Sequence, residues 1–169
     1  RDKIKAVVVR SVGSRVEKGD PHAIMVLCAI VSHRDPNGFR DDQTRAAAVT
    51  TLAQVAERGD QQASDTLYRN LKDHSIYSQI VNEVVRAVLQ LFGWKRMALM
   101  MDLLRQEGNA QVQRNLWQLQ LKVASQVEQV DGGSDIIAEM RASLKDGEEN
   151  PVVRCMAVFS LIPVAYGGG

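Results

Sequence analysis

The chain has 169 residues with 21 Lys and Arg against 20 Asp and Glu, so it carries no bulk charge to attract nucleic acid or anionic lipid. Its length suits one domain with a continuous core; 45% of residues are hydrophobic but only 5% aromatic, which favours closely packed helices over a sandwich or barrel. The longest apolar run, Ile24 to Val31, is far too short for membrane insertion; no signal peptide is read in this sequence, and an intracellular place, cytoplasm or organelle, is expected over secretion.

Taken in order, Asp2 to Lys18 is predicted as a first helix, with Val8, Val9, Val12 and Val16 on one stripe. Asp20 caps its partner, Pro21 to His33, and Pro21 fits the first turn. From His33 to Asp42 the residues Pro36, Asn37 and Gly38 spell a turn, a tolerated surface insertion that leaves Phe39 without a helix to pack on. Asp41 to Asp73 is the clearest segment: Ala48, Val49, Leu52, Ala53 and Ala56 form one apolar stripe, Gly59 ends the helix, and Asp60 caps a second helix bearing Ala63, Leu67 and Leu71.

After a connection from His74 to Gln79, Ile80 to Phe92 reads as a shortened first helix, because Arg86 precedes Gly93 by only seven residues where Arg45 precedes Gly59 by fourteen. Trp94 to Glu107 follows, with Met97, Met100, Met101 and Leu104 at helical spacing as core. Asn109 to Val130 is a long helix containing Trp117, ended by Gly132 and Gly133; Ser134 to Asp146 is its partner. Beyond the acidic loop Gly147 to Asn150, Pro151 to Ala165 is the first half of a further hairpin, in which Pro163 should bend or end the last turns. Its stripe of Val158, Leu161 and Ile162 has no visible cover, so marginal stability or self-association is expected.

These segments repeat. Lys5 to Asp35 lies on Arg45 to Ser75 at a shift of 40 residues without a gap, placing VEKGDPHA on AERGDQQA. VRCMAVFSLIPVA at Val153 to Ala165 matches TRAAAVTTLAQVA at Thr44 to Ala56, with Arg154 on Arg45, Val158 on Val49 and Leu161 on Leu52, and Arg114 stands 40 residues before Arg154. A fixed period of this size is the signature of a solenoid. The repeating Arg45, Gly59, Asp60, Leu71 and Asp73, with Gly19, Asp20 and Val31 one unit earlier, resemble HEAT repeats, particularly the short type also found in phycobiliprotein lyases. The expected fold is all-α, a right-handed α-solenoid of about nine helices and four and a half HEAT-like hairpins in a single domain. Its units are approximately 1–35, 41–74, 79–107, 109–147 and a half-unit 150–166.

The resemblance is specific for fold and nearly silent on chemistry. His22, His33 and His74 have no second metal ligand at useful spacing, Cys28 and Cys155 read as buried small hydrophobes, and there is no GxSxG or phosphate-cradling loop. No metal or cofactor and no catalytic residue is expected. Arg45, Arg86, Arg114 and Arg154 are expected to form a structural ladder pairing with acidic or amide groups; Asp41, Asn82 and Asn150 stand four residues ahead of three of them. The resemblance implies a non-enzymatic scaffold for protein partners. The partner is expected on a concave wall of second helices carrying His22, Met25, Ala29 and Ser32 beside Gln62, Asp65, Arg69 and Lys72. The alternatives are a lyase-like chromophore attachment or chaperone factor, and a structural subunit of a larger assembly.

Overall fold

A valine or leucine every three or four residues can bury one side of a helix only, so each helix must find cover from another. In the computed structural model, residues 2–33, 41–73, 79–108, 110–130, 132–147 and 150–166 are described, and they form helices joined by turns, with no strand among them. The helices are α1 (Asp2–Gly13), α2 (Pro21–Ser32), α3 (Asp42–Val55), α4 (Gln61–Asp73), α5 (Gln79–Gln106), α6 (Ala110–Val127), α7 (Gly133–Lys145) and α8 (Pro151–Tyr166). Helix α5 is two helical arms, because Gly93 at φ 79°, ψ 174° interrupts it, a conformation glycine reaches without the Cβ penalty. The chain divides into two compact units, Arg1–Leu91 and Phe92–Gly169.

In the first unit, α3 packs on α1 and α2, and α2 packs on α4. Helices 40 residues apart in sequence are thus neighbours, giving one row of first helices and one of second helices. The turns that feed the second row share one geometry. Gly19 and Gly59 both take positive φ, 85° and 89°, and the next residue caps: Ala23 N–H donates to Asp20 Oδ1 at 3.0 Å, Ala63 N–H to Asp60 Oδ1 at 2.8 Å. Hydrogen bonds stitch consecutive hairpins. Gly19 N–H donates to the Val55 carbonyl at 2.7 Å, and the Arg45 guanidinium reaches back to the Val31 carbonyl with Nε at 3.0 Å and Nη2 at 2.9 Å.

The α1–α3 joint is close. A Cβ built on Gly13 would stand 2.7 Å from Thr51 Cγ2 and 3.7 Å from Thr51 Cβ, so the small residue is required by the approach of α3. Leu27, Val31, Val49, Leu52, Leu67 and Val84 form the interior of this unit. In the second unit α8 packs on α6 and α7, and α6 on α7; Trp94, Met97, Met100, Leu104, Met140 and Met156 are buried there, so the methionine stripe is core.

Several expectations need correction. Helix α1 stops at Gly13, where Lys18 was expected. The helix before Gly93 is not shortened: its first arm, 79–92, matches the 14 residues of α3, and Arg86 stands a full turn deeper in it than Arg45 does in α3. The cause is the run Ile80, Val81, Val84 and Val85, buried ahead of Arg86, which starts the helix earlier than an alignment on the arginine allows. Pro163 does not end α8, which continues to Tyr166. The turn at Pro36 to Gly38 with Phe39, His74, the acidic pair Glu148/Glu149, and the side chains of Arg114 and Trp117 lie outside the described residues.

Candidate interaction surfaces

Helix α2 turns Ala23, Ile24, Leu27, Cys28 and Val31 inward, and α4 turns Ala63, Leu67 and Leu71 the same way. Helical periodicity therefore sends the other residues out. His22, Met25, Ala29 and Ser32 on α2, and Gln62, Asp65, Arg69 and Lys72 on α4, are all exposed, on two helices that touch. Asp65 is held on this strip by Gln61, whose Nε2 donates to Oδ1 at 2.7 Å, and its backbone carbonyl takes Arg69 Nε at 3.3 Å. Met25 and its neighbour Val26 are the exposed large apolar side chains of α2.

The four arginines of the expected ladder occupy different environments. Arg45 is buried, its Nη2 also donates to Asn70 Oδ1 at 3.0 Å, and Asn70 Nδ2 donates in turn to the Thr66 carbonyl at 2.9 Å. That guanidinium links the end of α2, the start of α3 and the middle of α4. Arg86 is half-buried and pairs with Glu83 at 3.3 Å. Arg154, the fourth residue of α8 as Arg45 is of α3, is exposed, and Asn150 caps α8 by accepting from Val152 and Val153 N–H. The side chain of Arg114 is outside the described residues. At the ladder position of α1 stands Lys5, whose ammonium lies 3.9 Å from Asp41 Oδ2. Burial alone would raise the Asp41 carboxyl, but side-chain and backbone hydrogen bonds from Thr44, with the Lys5 charge, outweigh it and hold its pKa below the ordinary value.

Sequence periodicity did not expose a groove of about 810 Å³ that crosses α1, α3 and the first arm of α5. Its floor is small, from Ala6, Ala46 and Thr50, and its walls carry Arg10, Glu83 and Arg86. Thr50 Oγ1 donates to the Ala46 carbonyl at 3.1 Å and lies 3.3 Å from Glu83 Oε2. This groove is on the first helices, and none of the eight strip residues lines it. The available signal was the recurrence of alanine at positions 6 and 46, one repeat apart, where a larger side chain would fill the groove.

The second unit holds a smaller cavity of about 350 Å³, lined by Met101, Leu116, Val152, Cys155 and Met156, with Arg105 and Asp102 paired at 2.6 Å on its rim. Cys155 is exposed, contrary to the expectation of burial: it lies on the wall of this open cavity instead of in the core. Cys28 is buried as expected, and burial chiefly pushes its thiol pKa up, with the Asp60 charge adding to it against a hydrogen bond with Thr66 and the Arg69 charge. Among the described residues no three His, Cys, Asp or Glu side chains converge on a metal position, and no helix is long and apolar enough to cross a membrane. No family model, curated protein or solved structure matches the chain.

Proposed function

We propose that this chain is a non-enzymatic helical-repeat scaffold of the HEAT type that binds a protein partner, and that the α2–α4 strip is the surface it offers. The observation carrying this reading is that all eight strip residues stand exposed on two adjacent helices, mixing His22, Asp65, Arg69 and Lys72 with a bare methionine. An exposed Met25 beside Val26 is a polarizable apolar patch among charges, the composition that an interface centre and its rim require. Rigid helices present such a strip without an ordering cost on binding.

The groove over α1, α3 and α5 is the competing surface, favoured by its concavity, since recessed surfaces desolvate what they hold. Paired variants separate the two. Met25→Asp with Arg69→Glu should leave helicity and melting nearly unchanged and weaken a captured partner about tenfold or more, roughly 1.4 kcal/mol. Arg10→Glu with Arg86→Gln should leave that binding intact. The opposite pattern would move the site to the groove, and binding unchanged in both would remove the proposed function from this unit.

A further inference from the structure

The flank of α3 that lines the groove of the first unit has a counterpart in the second unit. On α3, Asp42, Gln43 and Ala46 wall the groove, with residues of α1 and of the first arm of α5 beside them. On α8, aligned with α3 by setting Arg154 on Arg45, the same positions are Pro151, Val152 and Cys155, and they wall the cavity of about 350 Å³. This flank of α3 stays open although other helices line the same groove, so its openness on α8 does not depend on whether a helix follows.

The chemistry of the flank has changed between the two. A carboxylate and an amide on α3 give way to a proline ring and a valine on α8, and Met156 takes the place of Ala47. The facing walls are apolar as well, with Met101 from the second arm of α5 and Leu116 from α6. The charges on the rim are satisfied by their neighbours: Arg105 donates to Asp102 Oδ1 through Nε at 3.0 Å and Nη2 at 2.6 Å, and Gln106 Nε2 donates to Asp102 Oδ2 at 2.7 Å. Gln120 adds one amide to the wall and Cys155 one thiol.

We infer that this cavity is a binding site for a small neutral aromatic molecule. The ligand is neutral because the rim charges already hold one another, and a further charge brought against methionine, leucine and valine would lose its hydration without a partner. It is aromatic because the thioethers of Met101 and Met156 gain from contact with a ring beyond the burial of area. Its size follows from the volume. An apolar cavity of about 150 Å³ holds benzene, so the space here suits a fused two-ring molecule such as indole, for whose N–H the Gln120 amide offers an acceptor. The site is distinct from the α2–α4 strip, whose residues all belong to the other unit.

Cys155 in the wall makes occupancy readable. The unmodified chain is treated with N-phenylmaleimide or with N-(2-hydroxyethyl)maleimide, and labelling at Cys155 is followed by peptide mass spectrometry, each rate being divided by that of the same reagent with glutathione. On that scale the phenyl reagent should be at least about tenfold faster and its rate should saturate with reagent concentration, as labelling from a bound state does. Millimolar indole should slow it about fivefold or more and leave the hydroxyethyl reagent's intrinsic preference unchanged. Leu116→Lys, which brings a charge to a half-buried wall position, should keep the helical circular dichroism and lose the advantage of the phenyl reagent. Equal normalised rates for the two reagents, phenyl labelling that indole does not slow, or an advantage that survives in Leu116→Lys would each overturn the inference.

Discussion

Helices α3 and α8 start alike, each directly after a side-chain cap and with an arginine in the fourth position, and they carry aligned apolar stripes. Their surroundings differ. Val49 and Ala53 of α3 are covered, Val158 and Ile162 of α8 are half open; Arg45 is locked among three helices, Arg154 faces outward. Apolar periodicity thus specifies which side of a helix seeks cover, while the helices packed around it decide whether it obtains any.

The comparison can be broken most forcefully with a charge. Val49→Asp places an unpaired carboxylate among fully buried side chains and is expected to destabilise by more than about 4 kcal/mol or abolish cooperative folding, while Val158→Asp in dilute solution should stay within about 0.5 kcal/mol. Denaturant unfolding followed by circular dichroism reads both, and similar losses would show that the two helices are equally covered.

A smaller contrast lies in the arginines. Removing the Arg45 side chain leaves the Val31 carbonyl and Asn70 without their donor, so Arg45→Ala should cost roughly 1–3 kcal/mol against about 0.5 or less for Arg154→Ala. If Arg45→Ala kept its melting temperature but lost a partner, Arg45 would be a recognition residue. Next come the caps: Asp60→Ala should cost about 1 kcal/mol, because Ala63 N–H loses its acceptor.

The smallest effect is a matter of pH. Because the folded Asp41 pKa lies below its unfolded value, its contribution to stability is present above the unfolded value of 3.8 and is lost as pH falls through the folded one. Replacing Asp41 with Asn should remove that contribution at neutral and high pH and flatten the acid limb of a stability–pH curve, so that the difference from the parent vanishes in acid. An unchanged acid limb would mean that Thr44 and Lys5 do not hold the carboxylate in solution.

Much of the helix layout was legible because it is local. Gly19, Gly59 and Gly93 marked the breaks, Asp20, Asp60 and Asn150 the starts, and the stripes of α3 and α4 predicted their buried faces. Arg86 misled because its short distance to Gly93, set against that from Arg45 to Gly59, made the helix read as shortened, although the expected start at Ile80 lies one residue from the observed Gln79. The exposure of Cys155 and the groove over Ala6 and Ala46 escaped notice for a shared reason. Both depend on how neighbouring helices pack, which periodicity within one segment does not report. The eight strip residues were placed outside by the same helical spacing that placed Leu27 and Leu67 inside; whether a partner covers them is a property of the pair.

Native-state hydrogen exchange in dilute solution tests most directly whether neighbours decide the fate of equivalent helices, since protection reports the local opening of each. The amides of α3 at Val49 to Ala53 are expected to exchange at least a hundredfold more slowly than those of α8 at Val158 to Ile162. Equal protection of the two stretches would contradict it.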